Sequence, residues 1–304
     1  HYGKPLFMHS SFAGEGIPAL EILKSSGIPV MESSDRSMRC LAELMNFGEK
    51  RKQNRKLSYP KTLSMNRERV DKIIESVRSE ERRNLLETES LELLQACGVK
   101  MPPGKLAKTV EEAALAAAAF QVPVALKMVS PDILHKSDSG GIRLHLNNAD
   151  EIHSAFHEIL QNALGVTEES RIRGVLVSPM AQPGQECIVG MIRDPQFGPV
   201  LMFGLGGVFV EVLKDVSFRI TPVSNEDLDS MIREIKGFPL LSGVRGESPK
   251  DIDCLKRILA ILSELAEAYP EIEEIDLNPV IVHEEGASAV DSRILLSSLR
   301  DQIL

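Results

Sequence analysis

Apolar and polar positions follow two different rhythms along this chain, and the change of rhythm divides it. At the start, Pro5 to His9 reads as a strand and Ile17 to Lys24 as a helix closed by Gly27. Ile28 to Met31 is a second short strand. Ser34 to Phe47 is a second helix, with Ser34 or Asp35 available as N-cap. Strand–helix–strand–helix with short links is the pattern of a parallel α/β layer. Two strands do not hold a sheet by themselves, so residues 1–47 read as the closing part of a domain.

From Glu49 to Arg83 the pattern changes to twelve Lys/Arg against six Asp/Glu. Lys50 to Pro60 has few apolar residues and reads as a solvated linker. Val70, Ile73, Ile74 and Val77 then recur at helical spacing, which predicts an amphipathic helix. Residues 48–84 are therefore expected to be a basic linker and helix lying on their neighbours. Tyr59 is the one aromatic beside the basic run, which argues against a nucleic-acid or lipid patch.

Beyond Leu85 helices and strands alternate more densely. Thr88 to Ala96 is a helix stopped by Gly98, and Thr109-Val-Glu-Glu112 is a capping box opening an Ala-rich helix to Phe120. Val122 to Val129 and Gly141 to Leu146 read as strands, and Asn148 caps a third helix. Further strands are expected over 174–178, 187–192 and 200–203, the last running into Gly204-Leu-Gly-Gly207. Ser224 begins one helix, and Ser248 with Pro249 in the first turn begins another. Ile275 to Val282, a turn at Glu284–Gly286 and Ala289 to Asp291 close the chain as a hairpin. Hairpins mixed with helices mark this region as α+β, unlike the α/β start.

Composition narrows the function. The 304 residues are 43% hydrophobic and 26% charged, enough for a substantial core and for more than one domain. Aromatics are 4% and Trp is absent, which argues against a base-stacking or sugar-binding platform. The net charge of −9 argues against partnership with nucleic acid or an anionic membrane. Cys40, Cys97, Cys187 and Cys254 form no CxxC pair and read as thiols of a reducing, cytoplasmic compartment. The first residue is His1 rather than Met, and no signal peptide follows, so the chain is expected to begin inside a longer one.

Two constellations carry candidate chemistry. In Val124-Ala-Leu-Lys127-Met-Val129 a lysine sits mid-strand among apolar residues, so it must snorkel or meet an anion. The polar loop His135-Lys136-Ser-Asp-Ser-Gly140-Gly141 follows, and its glycines would let backbone N–H groups approach a phosphate. A hairpin turn with a stray lysine explains the same pattern. In Ile275-Asp276-Leu-Asn278-Pro279, Asp276 and Asn278 share a strand face, and a turn at Glu285–Gly286 can return Asp291 beside them. One carboxylate and one amide oxygen, completed by phosphate and water, suit Mg²⁺. Plain turn formation is the competing reading.

Taken in order, Lys127, the 135–141 loop, Glu186 after Val175–Met180, and Asn278 with Asp291 resemble an ATP-grasp fold. Leu201–Gly207, Asp194–Pro199, Ser130–Lys136 and Ile275–Pro279 together are similar to the NDP-forming acyl-CoA synthetases, the ADP-forming acetate–CoA ligases related to succinyl-CoA synthetase. The resemblance covers about Leu85 to Leu296. Residues 1–47 resemble the end of the flavodoxin-like CoA-ligase domain of fused members.

The resemblance implies an ATP-grasp fold of two subdomains over 85–304, with a small subdomain at about 107–179, preceded by a partial flavodoxin-like α/β segment. It implies ATP/ADP and Mg²⁺ as ligands, with CoA bound mainly by domains outside this chain. Lys127, Lys136, Gly140 and Gly141 would hold phosphates; Ser178, Pro179 and Met180 would form the adenine hinge; and Glu186 would hold the ribose. Asn278 and Asp291 would be the metal ligands, with Asp276 near the phosphoryl-transfer centre. His135 would be a second phosphoryl carrier or a loop histidine bonded to backbone or nucleotide. The implied partners are a CoA-binding and phosphohistidine-bearing domain or subunit, in a homo- or hetero-oligomer. An ATP-grasp ligase of another type, or a non-catalytic nucleotide-binding fragment, are the alternatives.

Other features carry simpler readings. His153 and His157 lie one helical turn apart without an evident third ligand and read as a solvated face. Glu211 and Asp215 follow the glycine run and would face the phosphoryl path, Arg245-Gly246 matches a family loop without a derivable role, and Cys187 reads as a core thiol.

Overall fold

The computed structural model describes residues 6–10, 17–53, 58, 60, 65–121, 123–133, 139–207, 214–244 and 246–298. It separates into two compact units, His1–Ser58 and Tyr59–Leu304. In the first, β1 (Met8–His9) and β2 (Val30–Met31) pair in parallel, joined through α1 (Pro18–Ser25) and followed by α2 (Ser34–Gln53). The α2 helix continues past Phe47 to Gln53, where a linker was expected. No proline interrupts it before Pro60, and Lys, Arg and Glu favour helix. Ile22, Met38, Met45 and Phe47 remain exposed on this unit.

The second unit starts its helices with α3 (Arg67–Ser79), whose N-cap Asn66 accepts a hydrogen bond from the Arg69 N–H at 3.2 Å. Its Val70, Ile73, Ile74 and Val77 are buried in the main core beside Leu93 and Leu94 of α4 (Glu87–Ala96). The helical half of the basic stretch is thus core, not tether.

Two sheets follow, both antiparallel throughout their described ladders. The smaller holds β3 (Lys105–Ala107), β4 (Val124–Val129), β5 (Ile142–Leu146) and β6 (Gly174–Pro179) in the order β3-β6-β4-β5. Helices α5 (Val110–Phe120) and α6 (Ala149–Leu164) cover one face through Ala113, Phe156 and Ile159, against Val124, Leu126 and Met128. Side chains alternate along a strand, so Ala125, Lys127 and Val129 point away from this apolar layer. Both helices start where their caps predict: Thr109 accepts from the Glu112 N–H and Asn148 from the Glu151 N–H.

The larger sheet runs β11-β10-β7-β8-β9, with β12 also on β10. Its strands are β7 (Gln185–Asp194), β8 (Gly198–Leu205), β9 (Val216–Ile220), β10 (Ile272–Val282), β11 (Ala287–Ala289) and β12 (Ser292–Leu296). Met191, Leu201, Phe203 and Leu277 face the core beneath α7 (Asn225–Arg233), α8 (Phe238–Ser242) and α9 (Ile252–Ala268). Ser224 caps α7, as expected. The α9 helix starts at Ile252 rather than after Ser248. Asp251 is the cap, one carboxylate oxygen accepting from the Cys254 N–H and the other from the Gly286 N–H, at 2.9 and 2.8 Å. Among the described residues, no helix is long and apolar enough to cross a membrane.

Candidate nucleotide and phosphoryl-transfer site

Lys127 lies mid-strand in β4, on the face turned away from α5 and α6, and it meets an anion. Its Nζ donates to Glu87 Oε1 at 2.7 Å and to the Val290 carbonyl at 2.9 Å, and lies 3.6 Å from Asp291 Oδ1. Lys127 and Glu87 side chains are each 5% exposed. Burial by itself would lower the ammonium's pKa. The carboxylates of Glu87 and then Asp291 reverse that effect and hold it above the ordinary lysine value, so the charge is kept. This lysine of the smaller sheet is therefore bonded to the loop between β11 and β12 of the larger one.

Glu87 is the residue that sequence reasoning missed. It stands in the first turn of α4, where an acidic residue reads as a favourable partner of the helix dipole. The available signal was the lysine itself, since a buried ammonium demands a carboxylate somewhere.

Asp276 and Asn278 lie on β10, and Asp291 returns beside them as expected. The Asn278 N–H donates to the Asp291 carbonyl at 3.3 Å, and Val280 pairs with Ala289 across the hairpin. One Asp291 side-chain oxygen accepts from the Ser292 N–H at 2.9 Å. Asp276 stands opposite Gly190 of β7 and Arg293 of β12. Burial, with Glu274 adding to it, raises the Asp276 carboxyl above its ordinary range; Arg293 opposes this and Asp291 contributes to it. Asn278 is exposed and Asp291 is 33% exposed. Hard oxygen donors on one carboxylate and one amide, with a second carboxylate near, fit Mg²⁺, which binds through few protein groups and fills its shell from phosphate and water. Among the described residues no group of three or more His, Cys, Asp or Glu could hold a metal, so any cation here depends on such outside ligands.

Glu186 is exposed on β7. Because Gly190 pairs with Asp276, and Glu186 lies four positions from Gly190, the two carboxylates share one sheet face roughly 13 Å apart along the strand. Gly206 packs against this position: a Cβ there would lie 2.9 Å from Glu186 Cβ.

The hinge expected at 178–180 forms the end of β6. Ser178 is buried opposite Ala125, Pro179 is opposite Val124, and the Met180 N–H donates to the Pro123 carbonyl at 2.8 Å. Gly140 adopts φ +66°, and its carbonyl accepts from Asn162 Nδ2 at 3.1 Å. The Gly141 carbonyl accepts from the Met128 N–H at 2.8 Å, which ties the end of the loop to the strand that carries Lys127. His135, Lys136, Glu211 and Arg245 lie outside the described residues.

Asp215 does not line a phosphoryl path. Its carboxylate is buried and accepts from the Lys236 and Gly237 N–H groups at 2.8 and 2.7 Å, holding the start of α8. The His153 and His157 rings lie 4.6 Å apart on the exposed face of α6. Cys187 is a core thiol whose pKa burial pushes up.

Residues 76–296 match the family described as the ATP-grasp domain. The chain is 44% identical over 284 residues to acetate–CoA ligase [ADP-forming] I of Archaeoglobus fulgidus, covering 93% of this chain and 41% of that protein. It thus spans about two fifths of the length of that relative. Against acetate–CoA ligase [ADP-forming] I subunit beta of Pyrococcus furiosus, identity is 48% over 224 residues, 74% of this chain and 96% of the subunit. Among solved structures, a dinucleotide-forming acetyl-coenzyme A synthetase of Ca. Korarchaeum cryptofilum, in complex with coenzyme A and Ca-AMPCP, matches 74% of this chain and 99% of its own. The TM-score is 0.71 and the identity 42%. The two-sheet architecture, the family match over most of the chain and the near-complete cover of a whole β subunit lead to one conclusion: the chain belongs to the ATP-grasp family, among the ADP-forming acetate–CoA ligases.

Proposed function

We propose that this chain is the nucleotide-binding and phosphoryl-transferring part of an ADP-forming acyl-CoA synthetase. The reaction is acyl-CoA + ADP + phosphate ⇌ carboxylate + CoA + ATP, carried through phosphohistidine. CoA and the principal phosphohistidine belong to a further domain or a partner subunit, in keeping with relatives that occur both as fused chains and as separate β subunits. A cytoplasmic location accompanies this reading, supported by four free thiols.

The observation that carries it is the approach of Lys127 from one sheet to Asp291 of the other, where the hairpin returns Asp291 beside Asn278. Lys127 contributes a fixed positive charge where phosphate oxygens would lie. Glu186, on the same face as Asp276, would accept from ribose hydroxyls, and the 178–180 strand end would border the base. Gly140 and Gly141 would let backbone N–H groups reach phosphate. A Mg²⁺ held by Asn278 and Asp291 would neutralise charge on the phosphoryl group in transit. Asp276, two positions before Asn278 on the same strand, would supply a carboxylate near the transferring group. His135 would act as a carrier: a neutral imidazole nitrogen attacks the γ-phosphorus, an N–P bond forms, the bridging P–O bond breaks and ADP leaves.

The test is incubation with γ-³²P-ATP and Mg²⁺, with and without the CoA-binding subunit of an ADP-forming relative. Base-stable, acid-labile label on this chain, lost in His135→Ala, is expected, together with phosphate-dependent ATP formation from acyl-CoA and ADP when the subunit is added. The absence of both label and nucleotide binding would overturn the reading.

A further inference from the structure

An ammonium group has three N–H donors and no acceptor. Lys127 has three acceptors around it: Glu87 Oε1 at 2.7 Å, the Val290 carbonyl at 2.9 Å and Asp291 Oδ1 at 3.6 Å. A phosphate oxygen can therefore gain a bond from Lys127 only if one of the three gives way. The Val290 carbonyl is fixed by its own backbone, the Val290 N–H donating to Pro279 at 2.9 Å. Glu87 is 5% exposed and anchored in the first turn of α4, and withdrawing it would leave a buried carboxylate without its cation. Asp291 is the longest contact and the most exposed of the carboxylates, at 33%. It is the partner that can leave.

We propose that Glu87 is a positioning residue for the cation site. By serving as the buried counter-ion of Lys127, it releases Asp291 to accept a divalent cation, and the freed Lys127 N–H then turns to the nucleotide phosphate. This rests on the reading of the site as a Mg-nucleotide site and adds the order of events within it. Among the described contacts of Lys127, Asp291 is the other carboxylate. Without Glu87, a cation would have to take Asp291 away from a buried ammonium with no other carboxylate among its described contacts. Glu87 thereby makes cation and nucleotide binding support each other: each removes a partner from the Lys127–Asp291 contact that opposes the other.

The experiment measures binding of a non-hydrolysable ATP analogue to the full chain across a Mg²⁺ titration, with no turnover required. In Glu87→Gln the Mg²⁺ concentration giving half-maximal binding is expected to rise about tenfold, while affinity at saturating Mg²⁺ changes by less than about threefold. Glu87→Asp, which keeps the charge, is expected to restore most of the wild-type Mg²⁺ midpoint. An unchanged midpoint in Glu87→Gln overturns the inference, as does an equal loss of affinity at low and saturating Mg²⁺, the mark of a merely structural role. Thermal unfolding of each variant checks folding. If Glu87→Gln does not fold, the double variant Glu87→Gln, Lys127→Met decides, with Mn²⁺ alone and no nucleotide. It has no buried ammonium to hold Asp291, so Mn²⁺ binding at least as tight as in wild type supports the proposal and weaker binding overturns it. A wild-type chain that binds no analogue at any Mg²⁺ concentration overturns the functional reading, and this inference with it.

Discussion

Lys127 and Glu87 meet at 2.7 Å although forty positions separate them, and the pair is closed off from solvent on both sides. Removing one partner of such a pair leaves an uncompensated buried charge. Lys127→Met is expected to lower the unfolding free energy by about 3–5 kcal/mol, and adding Glu87→Gln to recover most of it, because neither side chain then carries charge. Urea denaturation of wild type, single and double variants measures both quantities.

Asp132 accepts from Arg171 at 2.8 and 3.1 Å and from Thr167 Oγ1 at 2.6 Å. The Arg171 hydrogen bonds, then that of Thr167, hold its pKa down to about 2. A depressed carboxyl binds fewer protons in the native state than in the unfolded one. Its contribution is thus present above the unfolded pKa and lost as pH falls from about 4 towards about 2. The side chain is 36% exposed, so solvent screening keeps the contribution below about 1 kcal/mol. Asp132→Asn should melt slightly earlier than wild type at neutral pH, and the gap should narrow in acid. Calorimetry in matched buffers across that range would show it, and a gap that widens in acid would contradict it.

The four thiols should divide cleanly. Cys97 is 1% exposed and burial pushes its pKa up to about 12, while Cys187 is fully enclosed. Cys40 and Cys254 are partly open. Since the thiolate is the reactive form, a disulfide reagent should modify Cys40 and Cys254 in the native chain, and Cys97 and Cys187 only in denaturant. Peptide mass mapping after native labelling checks the assignment.

Gly140 combines φ +66° with a blocked side: a Cβ would lie 2.6 Å from Asn162 Nδ2. Gly140→Ala would therefore displace the amide that bonds the Gly140 carbonyl. A loss of about 1–2 kcal/mol is expected from backbone strain alone, with weakened nucleotide binding if the loop serves phosphate. Denaturation and analogue titration on one variant separate the two effects.

What the sequence made legible was local. Thr109, Asn148 and Ser224 cap their helices by bonds to an N–H three residues on, and such bonds show in the spacing of residue types. The hairpin that returns Asp291 to Asn278 was equally readable from its turn. Less visible were features decided across the chain. The start of α9 passes over Ser248 because Asp251 satisfies both Cys254 and the distant Gly286. Asp215 looked available for chemistry until Lys236 and Gly237 came round to it. The strand β3 is only three residues long, and β9 alternates apolar and polar residues with the apolar Phe218 and Ile220 exposed and Ser217 buried, so neither marks a core strand by itself. They form because β6 and β8 offer them a ladder. Of the site, Lys127 announced that it needed an anion, but nothing near it in sequence named Glu87.

The helix α3 has a consequence for how proteins of this kind can be divided. Similarity to the family begins at residue 76, inside a helix whose Val70, Ile73 and Ile74 are enclosed by the larger core. A gene split placed at that boundary would sever half a helix and open a strip of interior to water. A viable break must come before Asn66, which caps α3. Fusion and fission of the two units would then be constrained by the integrity of one helix as well as by the reach of the chain that joins them.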